Sequence, residues 1–262
     1  RDDVESRGLG DVYKRQAAFQ EYCGRNCIRR NRIIMPGYIL HLTAAQMFLK
    51  QTKKEQELFV NKQETNNFLI GNLMPDTTKD KARSHFRDPK YQGNMVEYPE
   101  ISWFARKYHN ILHDPSVMGY LFHLYIDRKF FKEYMPRIIE FRDKEDRVEE
   151  KMSKVKYVIL KRTGEKILKE DFFSEKYYYG DYTKMNTYLF NHYHIPIRLD
   201  PEVNNPGIEE VSYRNVKNVL KELEEYLTVP EEAVKNVKVF DVEDLLSFLE
   251  NSVEKYTPWN CE

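Results

Sequence analysis

Apolar residues recur at helical spacing through most of this chain. Ile39, Leu40, Ala44, Met47 and Phe48 mark one face over residues 38–52, just after Pro36 and Gly37. The charged run TKKEQELFVNKQE predicts a short second helix, and NNFLIGNLM a third that Pro75 stops. A long polar, turn-rich segment follows, TTKDKARSHFRDPKYQGNMVEYPE; loops of that length inside a domain are usually functional or disordered. ISWFARKYHNIL predicts a fourth helix, with Pro99 near its start. Asp114 then supplies an N-cap and Pro115 a first helical residue for SVMGYLFHLYIDRKFFKEYM, which should run until Pro136.

Beyond Asp143 the chain is densely charged. VKYVILKRTGEKILKEDFF predicts a β-hairpin turning at Thr163 and Gly164. Helices are expected again over 182–193, 213–227 and 241–256, the last capped by Asp241. No internal repeat is visible. The expected class is mainly α, with one small β-hairpin insertion.

Composition changes this picture little. The 262 residues are 41% hydrophobic and include 19 Tyr and 15 Phe, enough for a substantial core. Charged residues make up 32% and balance to zero, which argues against binding a nucleic-acid duplex through a broad basic field. No run of about 18 apolar residues exists to form a transmembrane helix.

The first residues read differently. RDDVESRGLGDVYKRQ follows neither period, and its end resembles translated sequencing-adapter sequence. Residues 1–34 are therefore expected to be a non-native, disordered extension, with a single helical domain from Met35 to Glu262. Setting aside the eight basic and five acidic residues of 1–34 from 42 of each leaves 34 and 37, a charge near −3. Two of the three cysteines, Cys23 and Cys27, lie in that extension and Cys261 is a lone terminal thiol, so neither a zinc site nor a disulfide framework follows. With no leader before Met35, a cytoplasmic setting is expected.

The chemistry lies in polar residues set among apolar ones. His123 and Asp127 are four apart within GYLFHLYIDRKFF, so they share a helix face in the way that H-E-x-x-H presents two ligands to one metal. A buried carboxylate needs a partner, which the neighbouring histidine, Arg128, a lysine or a metal could supply. His41 interrupts the first helix in the same manner. Asp76 follows a helix-ending proline, where the macrodipole disfavours an anion, and His85 lies in the next loop. Each alone reads as a satisfied core or surface residue; together, imidazoles and carboxylates suit zinc or a similar divalent ion.

PGYILHL, FLIGNLMPD, KARSHF and GYLFHLYID, in that order, resemble the zinc-dependent phospholipase C family of bacteria, which shares one all-helical bundle fold with single-strand nucleases. The resemblance covers about residues 35–140. It implies His41, Asp76, His85, His123 and Asp127 as metal ligands, with Asp76 also orienting or deprotonating the attacking water. Secreted members add an N-terminal Trp and a later H-x3-E pair, and no His here is followed by Glu four residues on. One or two zinc ions, rather than three, are therefore expected. Asp181 is the reserve ligand; His192 and His194 read as helix-end cations before Pro196.

The expected activity is hydrolysis of a phosphate ester, such as a phospholipid, by metal-activated water. A non-catalytic metal-binding helical interaction protein is the alternative. An HD-type phosphohydrolase built on His113 and Asp114 is disfavoured because Pro115 makes Asp114 an N-cap. His109 reads as a surface residue. The substrate, the role of the hairpin and the oligomeric state stay open.

Overall fold

A computed structural model describes residues 37–55, 59, 61–196, 198–227 and 229–257. The proposed extension 1–34 and all three cysteines lie outside them. Among the described residues, ten α-helices and one small antiparallel sheet make a mainly helical protein. In chain order the helices are α1 Tyr38–Glu55, α2 Lys62–Leu73, α3 Lys81–Ser84, α4 Ile101–Lys107, α5 Pro115–Lys129, α6 Met135–Ile138, α7 Lys169–Phe172, α8 Tyr178–His192, α9 Val216–Glu225 and α10 Val242–Glu254.

Among the described residues of 52–64, no separate helix forms. The first of these extend α1, Asn61 caps α2 by accepting from Glu64 N, and residues 56–58 and 60 lie outside the described set. The polar stretch after Pro75 is not one open loop: it carries 3-10 turns at Met74–Thr77 and Pro89–Tyr91, and α3 between them. Asp114 caps α5 as expected, accepting from Ser116 N and Val117 N. Pro136 does not stop that helix. A π-helical turn, Phe130–Tyr134, precedes it and α6 continues to Ile138. A wider turn accommodates a residue that can neither donate to the ladder nor tolerate a close carbonyl.

The expected hairpin is present as β2 Tyr157–Leu160 and β3 Lys166–Leu168, with Gly164 at φ 73°. A third strand precedes it. β1, Ile139–Arg142, leaves α6 directly and pairs antiparallel with β2, Ile139 opposite Leu160 and Arg142 opposite Tyr157. Its inward residues, Ile139 and then Val158, Leu160 and Ile167 of its neighbours, join the core.

The centre of the fold is the crossing of α2 and α5, which are buried along most of their length. They meet at glycine. A Cβ on Gly71 would lie 2.0 Å from Ser116 O, and one on Gly119 2.0 Å from Phe68 O. Only bare Cα atoms let the two backbones touch. Phe68, Phe122 and Phe48 of α1 fill the space around the crossing, their rings 5.2–5.7 Å apart.

Substituting alanine at a helical glycine ordinarily stabilises by about 1 kcal/mol. Here the new methyl meets backbone that cannot swing aside, so overpacking wins. Gly119→Ala should destabilise the protein by at least about 2 kcal/mol in urea unfolding; unchanged or increased stability would show that the helices are not held at this distance.

Candidate metal centre

Five side chains from four segments meet at the α2–α5 crossing. His41 comes from the middle of α1 and Asp76 from the 3-10 turn after α2. His85 is the C-cap of α3, while His123 and Asp127 stand one turn apart on α5. All five sequence-predicted ligands are thus brought to one place. His41, His85, His123 and Asp127 are at most 1% exposed.

Backbone carbonyls orient two of the imidazoles. His123 Nδ1 lies 2.8 Å from Asn72 O, and His85 Nδ1 3.1 Å from Lys81 O. The Asn72 carbonyl can only accept, so its contact places the His123 proton on Nδ1 and leaves Nε2 a bare lone pair; at His85 the Lys81 carbonyl favours the same tautomer, while Ser84 Oγ, 3.0 Å from the same Nδ1, can donate or accept. The two Nε2 atoms face each other at 3.2 Å. Around them, Asp127 Oδ2 is 3.4 Å from His85 Nε2 and 3.8 Å from His123 Nε2, and Asp76 Oδ1 is 3.5 Å from His85 Nε2. His41 Nε2 lies 3.2 Å from Asp127 Oδ1, its ring stacked on His123 with centroids 3.7 Å apart.

These separations are compatible with a metal ion held between the side chains. Most exceed an ordinary N–H···O bond of about 2.7–3.2 Å. They match the edge of a tetrahedron with arms near 2.1 Å, about 3.4 Å, which is how ligands around one zinc-sized ion are spaced. Both carboxylate oxygens of Asp127 and both ring nitrogens of His41 are buried without a hydrogen bond. A buried carboxylate oxygen or imidazole lone pair without a partner is costly; a cation among them would remove the cost for the Asp127 oxygens and for the one lone pair of a neutral His41. Without one, a histidine must shift its proton to bridge the 3.2 Å gap.

Two overlapping groups have donors within 4.8 Å of one another: His41, Asp76 and His123, and His85, His123 and Asp127. His123 belongs to both, yet one nitrogen lone pair holds one ion. Only the two-oxygen carboxylates can serve two ions. The buried His/Asp cluster can therefore hold a metal ion, and its donors match zinc chemistry.

Electrostatics keep the donors in their ligating forms. Burial, and after it the neighbouring His41, pushes His123 down to about 3, and burial also lowers His85. Burial works to raise Asp76, but Lys81 and the His85 and His123 imidazoles outweigh it and hold this carboxyl well below its usual range. Asp127 is likewise lowered against burial, chiefly by His41.

The sequence reading missed the supporting residues. Lys81 Nζ donates to Asp76 Oδ1 at 2.8 Å and to Asp76 O at 2.7 Å; Tyr38 OH donates to the same carbonyl at 3.0 Å. Asn72, wholly buried, donates from Nδ2 to His41 O at 3.0 Å while its own carbonyl holds His123. It ties α1 to α5 through two ligands. Phe86 sits between His85 and Arg87 at φ 50°, a left-handed conformation costing an aromatic residue about 1–3 kcal/mol. That kink turns both neighbours inward, with Arg87 only 7% exposed.

The remaining candidates lie elsewhere. Asp181 is buried but committed: its Oδ2 accepts from Lys238 N and Val239 N at 2.7 and 2.6 Å, and its Oδ1 pairs with Lys184. It anchors the strand-like run before α10 and is not free to be a reserve ligand. His192 ends α8 and stacks on Tyr188. Asp114 spends its carboxylate on the α5 N-terminus, and neither it nor His113 joins the metal groups found among the described residues. Compared with protein-family models, curated proteins and solved structures, the chain matches none.

In the unfolded chain a histidine titrates near 6.5; in the fold His123 stays neutral to about 3. Between those values the unfolded state binds the extra proton, so stability falls as pH falls. Chelator-treated protein should therefore lose stability as pH falls from about 6.5 to pH 4, with His123 contributing a slope that approaches about 1.4 kcal/mol per pH unit. His123→Gln should flatten the slope of chemical unfolding against pH; an unchanged slope would contradict the assignment.

Proposed function

We propose that this chain is a zinc-dependent phosphodiester hydrolase of the phospholipase C type, with an all-helical nuclease-like fold. One observation carries the reading: bare imidazole lone pairs and paired carboxylates converge at coordination spacing, on elements whose order along the chain resembles that family's. Zinc bound here would lower the pKa of a water to about 7 and draw charge from phosphate oxygens.

The protein's own residues do the rest. His41, His85, His123 and Asp127 are almost fully enclosed, and the Asp76 side chain, 6% exposed, is the least enclosed of the five. Because Lys81 and the imidazoles keep Asp76 ionised, its carboxylate is a poor proton acceptor and a good hydrogen-bond acceptor. Of the two roles implied by the resemblance, orienting the water fits better than deprotonating it. A divalent ion offsets the two carboxylates; Lys81 and Arg87 then leave the site positive, which favours an anionic diester, phospholipids included.

A second reading has an observation of its own. Four donors are almost completely buried, and a purely structural zinc is enclosed by its ligands. A metal-stabilised interaction protein would look the same on that side of the centre. Turnover separates the two. Purified protein should carry one or two zinc ions and hydrolyse a chromogenic phosphodiester; chelation should abolish activity and zinc should restore it. Asp76→Asn should retain metal but lower kcat by about 100-fold or more. Bound zinc without any turnover would leave only the structural role.

A further inference from the structure

Arg87 is a buried cation with two of its three guanidinium nitrogens unpartnered. Its Nη1 donates to Glu97 Oε2 at 3.3 Å, and Glu97 is itself fixed by Gly93 N at 3.0 Å. Its Nε and Nη2 are buried and have no partner. These two are not a random pair. They share one edge of the guanidinium plane and point two N–H bonds in parallel, the fork that fits two oxygens of a phosphate or carboxylate.

The fork's position is fixed from both sides. Arg87 N donates to Ala82 O at 3.0 Å, Arg87 forms a β-bridge with Pro99, and the left-handed turn at Phe86 places it two residues from His85. The guanidinium is close enough to the cluster for Asp76 and Asp127 to act on its charge, and for its charge to act on His85. Asp76 spends Oδ1 on Lys81, and neither carboxylate of the cluster bonds to Arg87. A strained backbone therefore holds an oxyanion fork two residues along the chain from His85 of the candidate centre, with no protein acceptor in it.

We propose that Arg87 Nε and Nη2 form an oxyanion subsite that grips two non-bridging oxygens of the substrate phosphate. Arg87 is then a substrate-binding residue of the hydrolase proposed above, on which its catalytic part rests. The ligand class is a tetrahedral dianion or monoanionic phosphodiester; a spherical halide cannot span the fork. Glu97 serves the subsite by holding the opposite nitrogen, which fixes the plane of the guanidinium.

The test uses the metal-loaded protein and two readouts. Inorganic phosphate binding is measured by calorimetry, independently of turnover, and KM and kcat are measured with a chromogenic phosphodiester. Arg87→Lys keeps the charge and loses the fork. It should weaken phosphate binding and raise KM at least 10-fold, with zinc content unchanged. Melting temperature checks that the variant folds; if it does not, phosphate protection of the parent supplies the answer, since phosphate should raise the parent's melting temperature while equal chloride should not. Phosphate binding lost in the variant, with no turnover even in the parent, would uphold the subsite and remove the hydrolase reading. Turnover in both proteins with equal KM and equal phosphate affinity would overturn the subsite and leave the hydrolase intact, as would a parent whose stability phosphate and chloride affect alike.

Discussion

Two glycine faces pressed against backbone carbonyls set the distance between α2 and α5, and the centre depends on that distance. With Gly71 against Ser116 and Gly119 against Phe68, the Asn72 carbonyl reaches His123 Nδ1. That single bond selects the tautomer, turns the Nε2 lone pair inward, and commits the ring to an acceptor's role. The side chain of the same Asn72 reaches the α1 backbone at His41. Backbone contact between helices thus becomes ligand geometry, with little left to side-chain freedom.

Burial then acts in two directions. It keeps His85 and His123 neutral, as a ligand must be. It also leaves the Asp127 oxygens and the His41 nitrogens without hydrogen bonds, a cost that apolar packing does not relieve. Lys81 adds a fixed positive charge at Asp76, so that carboxylate remains an anion even in a dry setting. The donors are consequently prepared for a cation.

Much of this was legible in the sequence because burial makes polar residues conspicuous. His41 and the His123–Asp127 pair stood out against unbroken apolar helices, and Asp76 against a helix end that disfavours it. The long helices, the Asp114 and Asp241 caps and the 157–168 hairpin followed from period and turn chemistry. The supporting residues left no such mark. Asn72, Lys81 and Arg87 look like ordinary helix and loop residues, because their roles depend on carbonyls and carboxylates distant in sequence or on an unseen kink. β1 was hidden for a different reason: IEFR does alternate apolar and polar residues, but over only four positions running straight on from a helix, and it becomes a strand by pairing with residues 157–160. Pro136 misled because a π turn can absorb a proline that usually ends a helix.

The central claim is that one centre, bounded by His41, Asp76, His85, His123 and Asp127, binds zinc. Anomalous diffraction above and below the zinc absorption edge tests it most directly, on crystals grown from protein purified without added metal. The account predicts an edge-specific peak about 2.0–2.2 Å from donor atoms of His123 and at least two of the other four. A peak located elsewhere, or none in crystals soaked with zinc at neutral pH, would contradict it.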